Sequence, residues 1–151
     1  MARSRLAVTG STGRLGGRVA HRLADAGVAQ RLILRDPARA PRLDAADVVQ
    51  AEYGDHAAAR RALAGVTTLF MVSGAEAPDR VDQHRTFVDA AVAAGVEHLV
   101  YVSFYGAAPG ATFTLARHHW ATEEHIRAAG LRWTFLRDNL YLEFLPAMVG
   151  Q

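Results

Sequence analysis

Three glycines near the start of the chain have a spacing suited to phosphate binding. Gly10, Gly13 and Gly16 form the pattern G-x-x-G-x-x-G, which is one residue longer at its first step than the G-x-G-x-x-G of dinucleotide-binding turns. Glycine lets the backbone turn sharply and approach a pyrophosphate closely, and it leaves the amino end of the following helix open to an anion. The intervening residues complete the candidate binding set: Ser11, Thr12, Arg14 and Leu15.

The segments on either side of these glycines predict a strand and a helix that position the turn. Residues 6–9 form a short apolar run that is typical of a buried strand, and Leu15, Val19 and Leu23 recur at helical spacing. A glycine-rich turn between a strand and a helix can also serve packing alone. A turn that binds nothing is therefore the alternative.

Two arginines after the second predicted strand could select between dinucleotides. The apolar run at residues 31–34 is followed by Arg35, Asp36 and Pro37, with Arg39 four residues beyond Arg35. At this place an acid accepts the ribose 2′-hydroxyl of NAD, whereas an arginine meets the 2′-phosphate of NADP. Asp36 before a proline is typical of a helix N-cap, so we favour Arg35 and Arg39 as ligands of NADP. NAD bound through Asp36, or a solvated arginine pair, is the alternative.

Strands and helices alternate along the chain, which predicts an α/β fold with a doubly wound parallel sheet, Rossmann-like, covered on both faces. We expect six strands, at about residues 6–9, 31–34, 47–51, 67–72, 97–103 and 132–136. Beyond the first helix, which Gly27 caps, we expect helices at about residues 36–43, 57–63, 79–94 and 115–129, and the start of another at 140–149. Ligands bind such sheets outside the carboxyl ends of the strands, where the glycine turn lies.

Length and composition exclude several classes of protein. The 151 residues, half of them hydrophobic, fit one globular domain spanning residues 1–151. No apolar run is long enough to cross a bilayer and residues 1–5 lack a secretory segment, so we expect a cytoplasmic protein without a membrane partner. The net charge is only +2, with basic residues dispersed among acids, which argues against nucleic-acid binding. The chain has no cysteine and no cluster of histidines and carboxylates, so we expect no metal site.

Several motifs occur together in an order that resembles one family. They are the segments TGSTGRLGGRV, LILRDPARA and HLVYVS, the Tyr53-Gly54-Asp55 turn, and the stretch HHWATEEHIRAAGLRWTFLRDNLYLEFLP. Over essentially its whole length the chain resembles the NmrA-like, quinone-oxidoreductase-like branch of the atypical short-chain dehydrogenases. The resemblance implies that the glycine turn binds a pyrophosphate, that Arg35 meets the adenosine phosphate and that Asp55 lies near the adenine. It also implies that the end of the fourth strand lines the cofactor through Val72, Ser73 and Gly74.

The catalytic residues are where the sequence departs from the wider superfamily. Short-chain dehydrogenases pair a tyrosine with a lysine four residues later, and this chain has no lysine, since all 17 of its basic residues are arginine. The remaining candidates are Ser103 at the end of the fifth strand, Tyr105 in the loop that follows, and His118 in the next helix. A strand-end cap is the alternative for Ser103, and an ordinary helix residue is the alternative for His118 or its neighbour His119.

The resemblance implies an NADP(H)-binding oxidoreductase of the quinone-reductase type, which passes hydride from NADPH to a small quinone or carbonyl acceptor. The alternative is a non-enzymatic, NmrA-like dinucleotide sensor that acts through protein–protein contacts. Members of the family continue for about the same length again, so most of the C-terminal substrate region is expected to be missing from this chain. An uncovered strand edge would then favour a homo-oligomer.

Overall fold

Six parallel strands form one sheet within residues 5–150, the part of the chain that the computed structural model describes. Residues 1–4, where no secretory segment is expected, and residue 151 lie outside the described part. The strands are β1 (Leu6–Thr9), β2 (Gln30–Leu34), β3 (Ala46–Gln50), β4 (Thr68–Val72), β5 (His98–Phe104) and β6 (Arg132–Asp138). Their order, β3-β2-β1-β4-β5-β6, is that of a doubly wound sheet, so the predicted fold class is confirmed.

Within residues 5–150, four helices connect strands and a fifth follows β6. They are α1 (Arg14–Asp25), α2 (His56–Ala62), α3 (Arg80–Ala93), α4 (Thr114–Ala128) and α5 (Leu145–Val149), with single 3₁₀ turns at Pro37–Arg39 and Leu142–Phe144. Ala26 is the C-cap of α1, and Gly27, predicted as the cap, follows it with a φ of 69°. Within residues 5–150 no helix is long and apolar enough to cross a membrane.

The segment after β2 differs from the prediction. The sequence predicts a helix from Asp36 to about residue 43, but only Pro37–Arg39 is helical. Asp36 does cap this turn, because its carboxylate accepts the backbone N–H two residues later at 3.0 Å. Ala40 is already extended, since a proline at position 41 disfavours a helical conformation in the residue before it. The longer helix is therefore wrong, although the cap is confirmed.

Buried hydrophobic side chains pack between the sheet and the helices on both of its faces. On one face α2, α3 and α4 cover buried side chains of the strands, among them Leu69, Met71 and Leu99. On the opposite face α1 packs through Ala20 on Val8 and on neighbours in β2. Because all the strands are parallel, the loops after β1, β2, β4 and β5 leave the sheet at the same edge.

Candidate functional site

Three glycines shape the turn between β1 and α1. Gly10 has a φ of 67°, and a Cβ atom at this position would lie 2.8 Å from Cβ of Val72. A Cβ atom at Gly16 would lie 2.3 Å from the carbonyl oxygen of Gly10. Gly13 is the N-cap of α1, and its amide donates to the same carbonyl at 2.9 Å. Side chains at Gly10 or Gly16 would push β1, β4 and α1 apart, so the close approach of these elements requires glycine.

The amino end of α1 has the features of an anion site. Among the described residues no side chain caps this helix, and its first turn contains no acid, so the positive end of the helix dipole is not neutralised locally. Ser11 lies beside it, only 3% exposed, and its Oγ has no hydrogen-bond partner in residues 5–150. A buried hydroxyl without a partner is costly, and a phosphate oxygen would accept a hydrogen bond from it. The turn therefore fits a phosphate group.

The other side chains predicted for this turn lie closer to solvent. Thr12 and Arg14 are exposed and Leu15 is half-buried. Arg14 lies 3.7 Å from the carboxylate of Glu143, and Arg18 lies 3.5 Å from the same group. Exposed ion pairs of this kind contribute little stability, so both guanidinium groups stay accessible to a stronger anion.

A hollow beside the turn contains the two arginines that were predicted to choose the nucleotide. Its lining consists of Thr12, Leu34, Arg35, Asp36, Arg39 and Glu52. Neither the Arg35 nor the Arg39 guanidinium forms a hydrogen bond or an ion pair within the described chain. Asp36, in contrast, uses one carboxylate oxygen to cap the following turn. The hollow therefore offers two uncommitted cations next to the glycine turn.

Glu52 is a residue of this hollow that sequence analysis missed. It is exposed and follows β3 by two residues, so it stands at the carboxyl edge of the sheet. That position was the available signal, because the ends of parallel strands gather at one edge. Its carboxylate puts a negative charge into the hollow that the two arginines line.

The residues implied for the adenine and for the end of β4 surround the same edge. Asp55 is the N-cap of α2 and accepts the N–H of Ala58 at 2.9 Å. Val72 is the neighbour that a Cβ atom at Gly10 would meet first. Ser73 is half-buried in the loop that follows. The roles of Asp55, Val72 and Ser73 toward a cofactor stay predictions.

A buried chain of polar side chains holds the loop after β4, and its first member, Arg80, was missed from the sequence. Arg80 is 3% exposed; its Nε donates to the Gly74 carbonyl oxygen at 2.8 Å, and its Nη2 lies 3.3 Å from Nε2 of His119. Nδ1 of His119 lies 2.9 Å from the Tyr101 hydroxyl. Burial and the Arg80 charge lower the pKa of His119 to about 4, so this histidine is neutral at physiological pH. A cation at the first position of a helix opposes the helix dipole, and this was the signal for Arg80.

The three catalytic candidates are not brought together. Ser103 is 1% exposed and donates to Oε1 of Glu123 at 2.6 Å, whereas Tyr105 is 75% exposed. His118 is half-buried, and its Nδ1 has no partner in the described residues. The hydroxyl of Ser103 therefore serves the packing of α4 on β5 in this arrangement. Catalytic roles for Ser103, Tyr105 and His118 stay predictions.

Glu123 is fully buried and is held by cations from two elements. Arg137 of β6 donates Nε and Nη2 to its two oxygens at 2.9 and 2.6 Å, and Arg127 of α4 lies 3.2 Å away. Burial raises the pKa of this carboxyl, but hydrogen bonds from Arg137 and Ser103 outweigh burial and hold the pKa below its ordinary value. No group of three or more potential ligand side chains in residues 5–150 could hold a metal ion.

Comparison with known proteins assigns this geometry to a family. Residues 10–143 match the model of a family described as NAD(P)H-binding. The chain belongs to this NAD(P)H-binding family. Its resemblance to the quinone-oxidoreductase-like branch is confirmed by quinone oxidoreductase 2 of Escherichia coli, which is 39% identical over 142 residues. That match covers 91% of this chain and 49% of the relative, so the chain spans about half the length of the curated relatives it matches.

Two solved structures extend the likeness of this NAD(P)H-binding chain. The NADPH-dependent quinone oxidoreductase of Escherichia coli, crystallised with NADPH, has a TM-score of 0.83 at 38% identity, over 91% of this chain and 50% of that one. The triphenylmethane reductase of a Citrobacter species, complexed with NADP(H), has a TM-score of 0.83 at 35% identity, over 92% of this chain and 50% of that one. Both likenesses cover nearly all of this chain and about half of the solved one.

Proposed function

We propose that this chain binds NADP(H) and forms the cofactor-binding part of an oxidoreductase of the quinone-reductase type. The observation that carries the proposal is the pair of uncommitted guanidinium groups, Arg35 and Arg39, in the hollow beside the glycine turn. A 2′-phosphate in this hollow would accept paired hydrogen bonds from them, while the diphosphate would meet the amino end of α1 and the hydroxyl of Ser11. Both anionic parts of the nucleotide therefore find donors.

Reduction by such a protein requires orientation more than acid–base chemistry. Bound NADPH supplies the hydride, and the chain has to hold the nucleotide and keep the acceptor beside it. The loop of Ser73 and Gly74 follows β4 at the same edge of the sheet as the glycine turn, and a hydrogen bond from Arg80 holds it there. The acceptor, a small quinone or carbonyl compound, would lie near Ser103, Tyr105 or His118. The two reductases compared above take different acceptors, a quinone and a dye, which favours this shared half as the cofactor half.

Titration of the purified chain with NADPH and with NADH tests the cofactor. Arg35→Ala should weaken NADPH binding about tenfold or more, because charge-assisted hydrogen bonds to the phosphate are lost, and should leave NADH binding unchanged. Arg42→Ala is the matched control, since Arg42 is a nearby exposed arginine outside the hollow. Absence of binding by either nucleotide would refute the proposal. Equal affinity for both, unaffected by Arg35→Ala, would refute the phosphate role.

A dinucleotide sensor is the second candidate, favoured by the engagement of Ser103 with Glu123 and by the absence of lysine from the chain. NADPH oxidation with a panel of quinones separates the two functions. Turnover above the uncatalysed rate supports the reductase. Tight binding without turnover, with a protein partner retained in only one redox state of the nucleotide, supports the sensor.

A further inference from the structure

We infer that Tyr53 is a positioning residue for the nucleotide, because its hydroxyl closes a ring of hydrogen bonds that holds the glycine turn against the end of β4. The inference rests on the proposed function. The ring joins Tyr53 to Thr9 of β1 and to Val72 of β4. Backbone pairing of β1 with β4 extends only as far as Val8 and Phe70. The ring therefore connects the two strands at the point where their ladder stops.

The donors and acceptors of the ring form a closed circuit. The N–H of Val72 donates to Oγ1 of Thr9 at 2.9 Å, and the hydroxyl of Tyr53 donates to the carbonyl oxygen of Val72 at 2.5 Å. Oγ1 of Thr9 lies 2.6 Å from the Tyr53 oxygen, and since the tyrosine proton is already committed to Val72, Thr9 is the donor in this bond. Each residue thus donates once and accepts once, and hydrogen bonds in such a circuit strengthen one another.

The aromatic ring of Tyr53 is fixed independently of its hydroxyl. It packs on Phe87 with centroids 4.4 Å apart and meets His84 edge-on at 5.9 Å, both in α3. Burial raises the pKa of Tyr53 above its ordinary value, so the hydroxyl keeps the proton that the circuit needs. Removing only the oxygen atom should therefore open the circuit without displacing the side chain.

Three parts of the candidate site depend on this one hydroxyl. Tyr53 belongs to the turn between β3 and α2 that also carries Glu52, which lines the arginine hollow, and Asp55. Gly10 follows Thr9 directly and is in close contact with Val72. The ring of hydrogen bonds therefore sets the spacing between the glycine turn, the end of β4 and the turn after β3, which borders the arginine hollow.

Two shape-conserving substitutions test the ring. In Tyr53→Phe and in Thr9→Val, the amides of Val72 and of residues 10–13 should exchange with solvent about tenfold faster, while those of β5 should not change. Each variant should bind NADPH about threefold to tenfold more weakly, the loss expected for one hydrogen bond. The double variant should bind NADPH no more weakly than the single variant with the lower affinity, because the circuit of hydrogen bonds can be opened only once. Thr9→Ser keeps the hydroxyl and should bind within about twofold of the natural chain.

Thr134→Val is the matched control, because it removes the bond between Thr134 and His98 that links β5 to the edge strand β6. It should leave NADPH affinity unchanged. The inference is overturned if the Val72 amide is unaffected by Tyr53→Phe, if the losses multiply in the double variant, or if Thr134→Val weakens NADPH equally. Failure of the natural chain to bind NADPH would refute the proposed function and, with it, the nucleotide role of the ring, whereas unchanged exchange refutes the ring alone.

Discussion

If the proposed function is correct, individual charges, more than the glycines, would determine which nucleotide is preferred. The glycines are required by the approach of α1 to β1 and would be needed for NAD and NADP alike. The hollow combines two cations, Arg35 and Arg39, with the carboxylates of Asp36 and Glu52. Asp36 uses one carboxylate oxygen to accept a backbone N–H, so Glu52 is the acid of the hollow whose charge can be removed without loss of a helix cap. We therefore expect nucleotide selectivity at this position to depend on a balance of opposite charges.

Neutralising Glu52 should therefore strengthen the preference for the phosphorylated nucleotide. We expect Glu52→Gln to tighten NADPH binding about twofold to fivefold, the effect of one exposed charge, and to leave NADH binding unchanged. Raising the salt concentration should reduce the gain, because ions screen exposed charges. Calorimetric titration of both nucleotides at two ionic strengths measures the effect. Equal gains for NADPH and NADH would contradict it.

The packing of α3 against α4 depends on neutral histidines. His84 is fully buried; its Nε2 accepts the N–H of Gly74 at 2.8 Å, and its Nδ1 lies 2.9 Å from the Thr122 hydroxyl. Burial, assisted by the Arg80 charge and by His119 and His118, lowers the pKa of His84 to about 3. The interface between the two helices therefore disfavours a second proton on this ring.

Stability should consequently fall in mild acid. Between about pH 6.5 and pH 4 the unfolded chain binds protons at His84 and His119 that the folded chain does not bind, so the free energy of unfolding decreases as the pH falls. Each histidine should contribute a loss of about 1.4 kcal/mol per pH unit in this range. Urea unfolding at pH 7, 6 and 5 measures the slope. His84→Gln should flatten it, whereas His56→Gln, at an exposed position, should not; equal slopes for His84→Gln and the natural chain would disprove the assignment.

The two faces of the sheet are covered unevenly by helices. Three helices lie on one face of the sheet, while α1 is the helix that packs on the other through the second core cluster. Large apolar side chains at least 40% exposed are concentrated near and beyond β6: Trp133, Leu136, Leu140, Leu142, Phe144, Leu145, Met148 and Val149. An apolar area of this extent is typical of an interaction surface.

The exposed apolar residues should make the purified chain self-associate. Sedimentation velocity should give a mean mass that rises with protein concentration. Replacing Leu142 and Val149, which are 77% and 79% exposed, with glutamine should shift the distribution toward the monomer. Val28→Gln with Val92→Gln is the matched control, since both valines are exposed elsewhere on the molecule. A monomer at all concentrations would contradict the expectation.

Local patterns predicted the elements, whereas the polar contacts between elements required the structure. The glycine turn and the Asp36 cap depend on neighbours in sequence, so residue type and spacing were sufficient. The prediction of a longer helix after Asp36 was wrong, because Pro41 restricts the residue before it. This proline was visible in the sequence. The Tyr53 hydroxyl forms hydrogen bonds with residues 44 and 19 positions away in the chain, and no local pattern indicates such partners.

The buried carboxylate of Glu123 links the folding of α4 to the addition of β6. Helix α4 places this charge where no solvent reaches it, and its two-point partner, Arg137, belongs to the last strand of the sheet. Until β6 has joined β5, the carboxylate has lost water without gaining that partner, which costs several kcal/mol. Ser103 and Arg127 remain as partners in the absence of β6, but we expect the loss of Arg137 to couple the docking of α4 to the addition of β6. A polypeptide shortened to end at Gly130 should therefore have a less stable α4.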